Sequence, residues 1–344
     1  MVLLGGLLAL GACAAIQPTP PVAQAFVEET CDCELFKRTP ETTVSLPAAG
    51  PAAPAVTATP SPQPTGAPAT PAPAEPTAAP SGTVTRTADL LSKSPTPEWM
   101  GLPVLPTVSA TAREIYRRGL ALGNRPEAFA KVGDCGVETQ FFLTDFDGDP
   151  AGYDLGPYEA LQDTIDYFSG SFSRDSLAAK NGANTAGLFV PLWADREICA
   201  GTEGPLACEY RLWQPSIALI MVGTNDAGRG GDDFEAGLRK VVDATIERGI
   251  VPVLATKADN LEGDHAINAA IARVAADYDV PLWNFWAAVQ DLPRGGLQPD
   301  GAHLTFLPNR FGDPDAMQTA WPVRNLTALQ VLEALRLNLA EDGS

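Results

Sequence analysis

The chain has few basic residues and almost no histidine. Only 23 Lys and Arg stand against 42 Asp and Glu, the formal net charge is -19, and there are 2 His. A charge of this sign repels phosphate backbones, which argues against nucleic acid as a partner. Any imidazole chemistry is restricted to His265 and His303.

The N-terminus lacks the basic residue that normally begins an export signal. Residues 2–10 are apolar and lead into Leu10-Gly11-Ala12-Cys13, which resembles a bacterial lipobox, but no Lys or Arg precedes them. The apolar run is too short to span a bilayer comfortably. We predict a lipoprotein-type signal peptide over 1–13, lipidation of Cys13, and an exported, membrane-anchored protein facing the periplasm or the outside. A plain signal peptide or a short anchor helix are the alternatives.

The next segment lacks the composition of a folded domain. Residues 46–97 consist mainly of Pro, Ala and Thr. Such a segment buries too little apolar surface to offset its ordering entropy. We predict a disordered tether over 14–98 and a folded domain over 99–344.

Cysteine is scarce, with 6 in the chain. Cys199 and Cys208 bracket a short loop and are predicted to form a disulfide, which an exported protein retains. Cys31 and Cys33 are too close for an easy mutual bond, and no His or second Cys pair lies near enough to complete a metal site. Cys135 therefore has no predicted disulfide partner and is a candidate reactive thiol.

Buried runs alternate with helical patterns in the rest of the chain. The predicted strands are 128–132, 215–222, 250–255 and 280–285, and the predicted helices are 110–122, 158–168, 232–248, 266–278 and 326–339. This alternation predicts an α/β fold with a parallel sheet. We find no internal repeat.

Three polar motifs lie outside these runs. Gly133-Asp134-Cys135-Gly136 ends the first strand, and we expect its glycines to supply the backbone angles of a sharp turn that presents Cys135. Gly223-Thr224-Asn225-Asp226 ends the second strand, so Asn225 faces Cys135 if the two strands are adjacent. In Asp300-Gly301-Ala302-His303 the spacing lets Asp300 reach Nδ1 of His303 and leaves Nε2 as a base.

The order of these motifs resembles the SGNH (GDSL-type) hydrolase family. The resemblance runs from about Phe129 to the C-terminus, and Gly182-Ala183-Asn184-Thr185 is assigned to the second family motif mostly by position. It implies a flavodoxin-like three-layer α/β/α sandwich and ester or acyl-transfer chemistry. It implies no metal and no organic cofactor. We expect a monomer that acts on acylated glycans, wall polymers or small esters.

The resemblance also implies a role for each residue. Cys135 is the nucleophile and gives one oxyanion N–H, Gly182 gives a second N–H, and the Asn225 amide gives a third donor. His303 is the general base and then acid, and Asp300 orients it. The family has Ser where this chain has Cys135, so three outcomes stay open: a thiol esterase or acyltransferase, a slow relic enzyme, or a carbohydrate- or envelope-binding module without activity.

Each motif also has a purely structural interpretation. Cys135 can be a small buried hydrophobic residue, Asn225 can close the turn after its strand, and Asp300 can cap the turn at Gly301. His265 is expected to be a surface or capping residue.

An alternating acidic run, Asp145-Phe146-Asp147-Gly148-Asp149, resembles a calcium loop. Pro150 stands where such a loop needs Gly, and the bidentate Glu at its end is missing. We therefore interpret the run as a solvated acidic loop.

Overall fold

The computed structural model describes residues 98–340. The predicted leader with Cys13, the tether up to residue 97, and the pair Cys31 and Cys33 lie outside the described residues. Within 98–340, no helix has the length and apolar character needed to cross a bilayer.

Strands and helices alternate through this range. The strands are β1 (Arg125–Gly133), β2 (Pro215–Met221), β3 (Val251–Ala255) and β4 (Leu282–Trp283). The α-helices are α1 (Ala110–Ala121), α2 (Cys135–Glu138), α3 (Gln162–Tyr167), α4 (Pro205–Trp213), α5 (Gly231–Glu247), α6 (Ala266–Tyr278), α7 (Phe285–Val289) and α8 (Ala320–Asn338).

The four strands form one parallel sheet in the order β1-β2-β3-β4. A further parallel bridge joins Ala179 to Gly133 at the outer edge of β1. Ala179 follows β1 and precedes β2 in the chain, so the edge order is the flavodoxin-like one, in which the second segment lies outside the first. The predicted α/β class with a parallel sheet is confirmed.

Helices cover both faces of the sheet. Every residue of β2 and of β3 is buried. Successive side chains of a strand point to opposite faces, so this burial requires a layer of helices on each side. α1 packs on β2 and β3, and α5 and α6 pack on β3. The result is the three-layer α/β/α sandwich that the resemblance implies.

Two elements at the end of the sheet differ from the sequence prediction. The predicted strand 280–285 is reduced to β4, because Asn284 begins a helix there: its side chain accepts a hydrogen bond from the N–H of Ala287. α8 begins at Ala320 and not at 326. Pro322 lies in the first turn of α8, where its missing N–H breaks no helical hydrogen bond.

Two helices also depart from the prediction. α4 was not predicted, although Pro205 occupies a first-turn position, which is a common helix start. The predicted helix 158–168 begins as a 3-10 segment, Gly156–Leu161, with a kink at Tyr158, and becomes α-helical only in α3.

Candidate active site

The turn after β1 is packed tightly against the end of β2. A Cβ atom at Gly133 would lie 2.3 Å from the carbonyl oxygen of Met221 and 2.4 Å from Cγ2 of Val137, so only glycine fits. Neither Gly133 nor Gly136 has a positive φ. The sequence-based reason for these glycines was therefore wrong, because close backbone approach, and not an unusual backbone angle, requires Gly133.

Cys135 is the first residue of α2. Asp134 caps this short helix, with Oδ1 accepting from the N–H of Gly136 at 3.0 Å. The Cys135 side chain is buried. Cys199 and Cys208 form the disulfide that their spacing predicts, and within 98–340 Cys135 is the cysteine outside that bond.

The Gly182-Ala183-Asn184-Thr185 motif forms a turn beside the ends of the strands. Gly182 has φ +75°, a left-handed conformation that favours glycine. A Cβ atom there would find its nearest neighbour, the Trp193 ring, at 3.8 Å, so the backbone angle and not lack of space favours glycine. The carbonyl of Ala183 accepts a 3.1 Å hydrogen bond from Nδ2 of Asn225.

The Gly223-Thr224-Asn225-Asp226 motif follows β2 and begins with Gly223. A Cβ atom at Gly223, where φ is +128°, would lie 2.7 Å from Cγ2 of Ile267. The next residues form a 3-10 helix, Thr224–Arg229, that carries Asn225. The half-buried Asn225 amide binds Ala183 through one N–H, and an amide has a second N–H to offer an oxyanion.

Cys135 and Asn225 follow adjacent strands. β1 and β2 are parallel neighbours, and Gly133 pairs with Met221 at their carboxyl ends. This pair of strands is the point where the strand order reverses, and open α/β sheets bind ligands there. The adjacency on which the sequence argument depended is confirmed.

Asp300 and His303 form a close pair on the loop before α8. Oδ2 of Asp300 lies 2.5 Å from Nδ1 of His303, and Oδ1 accepts from the N–H groups of Ala302 and His303 at 3.0 and 3.1 Å. Burial alone would raise the pKa of Asp300, but the hydrogen bonds from the His303 ring and from the backbone outweigh it and lower the pKa. Nε2 of His303 is shielded from solvent. The carboxylate therefore fixes the imidazole tautomer that leaves Nε2 for acid–base work.

The start of α8 joins the histidine loop to the nucleophile turn. The hydroxyl of Thr305 accepts from the N–H of Ala320 at 3.0 Å, and the carbonyl of Thr305 accepts from the N–H of Trp321 at 3.0 Å. One turn further along α8, Nη1 of Arg324 donates to the carbonyl of Gly136 at 2.6 Å. The loop that carries the candidate base and the turn that carries the candidate nucleophile thus contact the same first turns of one helix.

Arg324 is the residue of this region that sequence reasoning missed. Its guanidinium is buried, 4.3 Å from the Phe142 ring centroid and 4.9 Å from that of Trp321. Burial lowers the pKa of Arg324 to about 9, against the opposing effect of Asp134 and of the ionised form of Cys135. An arginine in an otherwise apolar stretch could have indicated a special role for Arg324. The predicted helix began at residue 326, however, so Arg324 was not placed in it.

His265 and the acidic run have structural roles. His265 precedes α6 in a left-handed conformation, but its side chain makes no capping hydrogen bond. It stands at the N-cap position of α6, which is one of the two predicted roles, and its half-buried ring lies 6.0 Å from the Trp99 ring and 5.9 Å from the Trp286 ring. In the acidic run, both oxygens of Asp147 accept backbone N–H groups, and Asp145 accepts from Asn309. Among the residues described, no three His, Cys, Asp or Glu side chains gather as a metal site.

The fold and these contacts define a class of protein: an α/β domain with an Asp–His pair and candidate oxyanion donors at the carboxyl edge of a parallel sheet. The family profile described as "GDSL-like Lipase/Acylhydrolase family" matches residues 152–306. The match covers less than half of the chain, and the name of the family describes hydrolases of ester bonds. The resemblance inferred from the motifs is confirmed. The matched range includes Gly182, Asn225, Asp300 and His303 and begins after Cys135.

Solved structures of bacterial esterases and lipases align with this chain at low identity. A psychrotrophic esterase from Pseudoalteromonas sp. is 17% identical, with 62% of this chain and 100% of that chain covered and a TM-score of 0.38. An acetylxylan esterase from Geobacillus stearothermophilus is 15% identical over 61% and 95% of the two chains, with a TM-score of 0.36. A GDSL-like lipase from Bacteroides thetaiotaomicron is 13% identical over 64% and 97%, with a TM-score of 0.37. Comparison with curated protein sequences gives no match.

Proposed function

We propose that this protein is an exported, membrane-tethered ester hydrolase or acyltransferase with a Cys135–His303–Asp300 triad. The family supplies the reaction class, action on ester bonds. The observation that carries the proposal is the Asp300–His303 contact of 2.5 Å between Oδ2 and Nδ1, which orients the imidazole for proton transfer. The N–H groups of Cys135 and Gly182 and the amide of Asn225 form the proposed oxyanion hole.

The reaction proceeds in two steps, acylation of Cys135 and release of the acyl group. The Cys135 thiol proton passes to Nε2 of His303, the resulting thiolate sulfur attacks the ester carbonyl carbon, and the carbonyl electron pair moves onto oxygen. The oxyanion collapses, the C–O bond breaks, and the leaving alkoxide takes the proton from His303. Water, or an acceptor hydroxyl, then gives a proton to His303, and its oxygen attacks the carbonyl carbon of the thioester. The C–S bond breaks, the acid or new ester is released, and the sulfur recovers the proton from His303.

A domain without activity on the same scaffold is the second candidate. Two observations favour it: Cys135 stands where the family has serine, and one N–H of Asn225 is bound to Ala183. Sulfur is larger than oxygen, and a misplacement of about 1 Å can cost about a hundredfold in rate. Such a domain would bind carbohydrate or envelope components.

The decisive experiment measures hydrolysis of short-chain p-nitrophenyl esters by the full-length protein. The variants are Cys135→Ala, Cys135→Ser and His303→Ala. We expect wild type to turn over, both Cys135→Ala and His303→Ala to lose activity, and mass spectrometry to find a transient acyl group on Cys135. Equal rates for wild type and Cys135→Ala would contradict the proposed role of Cys135 as the nucleophile of the triad. Activity that appears only in Cys135→Ser would favour the inactive module.

The proposed substrate follows from the surface near the Gly182 motif and His303, and from the proposed export of the protein. Exposed apolar side chains follow the Gly182 motif, with Leu192 72% exposed and Trp193 40% exposed, and Phe306, 40% exposed, follows His303. Apolar and aromatic surfaces of this kind accept acyl chains and sugar faces. Rates on p-nitrophenyl acetate, butyrate and octanoate, compared with release of acetate from acetylated oligosaccharides, distinguish small esters from acylated glycans.

The location is proposed from the sequence alone. Lipidation of Cys13 would place the domain outside the cytoplasmic membrane, at the end of the predicted tether. In a bacterial expression host, labelled palmitate should enter the wild-type protein and not Cys13→Ala. Labelled wild type recovered from the soluble fraction would contradict membrane anchoring.

A further inference from the structure

Arg324 is a buried cation at the base of the candidate active site. Its Nη1 donates to the carbonyl of Gly136, the residue after Cys135, and its Nη2 contacts Sδ of Met221, the last residue of β2. The guanidinium therefore lies between the ends of the two strands that carry the nucleophile and Asn225. A Cβ atom at Gly136 would lie 3.5 Å from Nη1, which places the cation directly against the turn.

The surroundings of Arg324 are aromatic on several sides. The Phe142, Trp321 and Phe285 ring centroids lie 4.3, 4.9 and 5.8 Å from Cζ. Its Nε is buried and has no hydrogen-bond partner. A buried guanidinium loses its hydration, so it needs negative charge nearby to be stable. Aromatic faces compensate this loss only in part.

Asp134 and the ionised form of Cys135 both act on Arg324 to raise its pKa against the effect of burial. A neutral thiol would leave Asp134 alone to balance the buried cation, whereas a thiolate supplies a second negative charge. An opposite charge within about 4–6 Å favours the ionised form of a titratable group. The arrangement therefore favours the ionised form of Cys135.

We propose that Arg324 is a positioning residue that holds Cys135 as a thiolate. The proposal rests on the proposed nucleophilic function of Cys135 and explains how a thiol works where the family has serine. A thiolate is the reactive form of cysteine, and a cation that stabilises it increases the fraction ready to attack at neutral pH. Other charged groups around the turn are Asp134 and Glu138 of its own segment and the Asp300–His303 pair on the loop bound to α8. Lys180 is also near, because its backbone N–H donates to the carbonyl of Gly133.

The test is the pH dependence of Cys135 alkylation in the full-length protein. Iodoacetamide modification is followed by mass spectrometry of the peptide that contains Cys135, so the other cysteines do not contribute. In Arg324→Gln and Arg324→Met the midpoint pH should rise by at least about one unit, which makes alkylation at pH 7 about tenfold slower. Arg324→Lys, which keeps the charge, should restore at least half of the shift.

Matched variants separate charge at the turn from general effects. Arg336→Gln removes the same charge from the same helix, about 18 Å along its axis, and should leave the midpoint unchanged. Arg324→Met retains an apolar stem among the aromatic rings and adds no polar group of its own, so it remains usable if the Gln variant does not fold. The 13Cβ shift of Cys135 against pH gives the same midpoint without requiring reagent access.

The outcomes are distinct. A folded Arg324→Met or Arg324→Gln protein with the wild-type midpoint overturns the proposal, as does an equal shift in Arg336→Gln. Alkylation needs no ester turnover. A raised midpoint without any hydrolysis by wild type would support the thiolate role and reject the hydrolase, whereas turnover with an unshifted midpoint would do the reverse.

Discussion

The hydroxyl of Thr185 donates a 2.8 Å hydrogen bond to Oδ1 of Asp226, and both side chains are buried. The backbone N–H of Thr185 donates to the same carboxylate. This contact joins the turn of Gly182 to the turn of Asn225. The turns that carry two of the three proposed oxyanion donors are therefore joined through the Asp226 carboxyl group. The strength of this contact depends on pH, because the carboxyl group titrates.

Thr185→Val should destabilise the protein more at pH 7 than at pH 4. Burial raises the pKa of Asp226, and the hydrogen bonds from Thr185 oppose this rise. Because its folded-state pKa is raised, this carboxyl favours folding at low pH, and its contribution falls as pH rises between the unfolded and folded values. Loss of the hydroxyl raises the folded pKa further and leaves a charged carboxylate short of a donor at pH 7. A hydrogen bond to a charged group contributes about 1.5–3 kcal/mol.

Urea unfolding of wild type and variant at both pH values measures this difference. We expect a loss of about 2 kcal/mol at pH 7 and a clearly smaller loss at pH 4. Thr245→Val is the control, because the buried Thr245 hydroxyl donates to the carbonyl of Val241 and contacts the hydroxyl of Tyr210. The carbonyl does not titrate, and burial raises the pKa of Tyr210, so neither partner changes charge between pH 4 and pH 7. Equal losses for Thr185→Val at the two pH values would show that Asp226 is not the responsible partner.

Gly182→Ala should lower activity far more than stability. Gly182 has φ +75°, and the added methyl group meets nothing closer than 3.8 Å, so backbone strain is the main cost, about 1–2 kcal/mol. Relief of that strain would rotate the N–H away from the oxyanion, and loss of one such donor costs about 10²–10³ in kcat. Gly170→Ala carries a similar strain at φ +85° in an exposed turn and should keep full activity. If the two alanine variants have the same kcat, Gly182 is not an oxyanion donor.

Asp300→Asn should lower kcat/KM by about 10²–10⁴-fold while the protein stays folded. Asparagine can still accept the N–H groups of Ala302 and His303, so the turn survives, but its amide no longer favours the Nδ1–H tautomer of His303. Asp313→Asn is the matched control, because Asp313 accepts a backbone N–H from Asp315 in a similar turn on the same loop. Unchanged kinetics in Asp300→Asn would support the simpler role of a turn cap.

Replacement of both Cys199 and Cys208 by Ala should reduce stability by about 2.7 kcal/mol in the chain-entropy model. The disulfide closes a short loop between residues separated by 9 positions and attaches that loop to the buried side of α4. Guanidinium unfolding of the double variant measures the loss. The alkylation of Cys135 should keep its midpoint, since Cys135 takes no part in this bond. A stability equal to that of wild type would mean that the reduced loop is already ordered by other contacts.

The site was predictable where a short local pattern encodes a contact. The Asp300–His303 pair is set by a three-residue spacing within one turn, and the Asn225 position is set by a buried run that ends in glycine. Arg324 was not predictable, because its contacts with Gly136 and Met221 cross large distances in sequence. The close packing at Gly133 was also beyond prediction, because a pair of parallel strands has to be aligned before the approach of Met221 is visible.

The sequence alone determined the α/β alternation, the order of the polar motifs and the local pairs, because hydrophobic periodicity and turn chemistry act over a few residues. The tertiary structure decided which strands are neighbours, which helix covers the nucleophile turn, and where a cation is buried against a thiol. These are consequences of packing between distant segments, where burial and charge depend on the groups that the fold brings together and not on those adjacent in the chain.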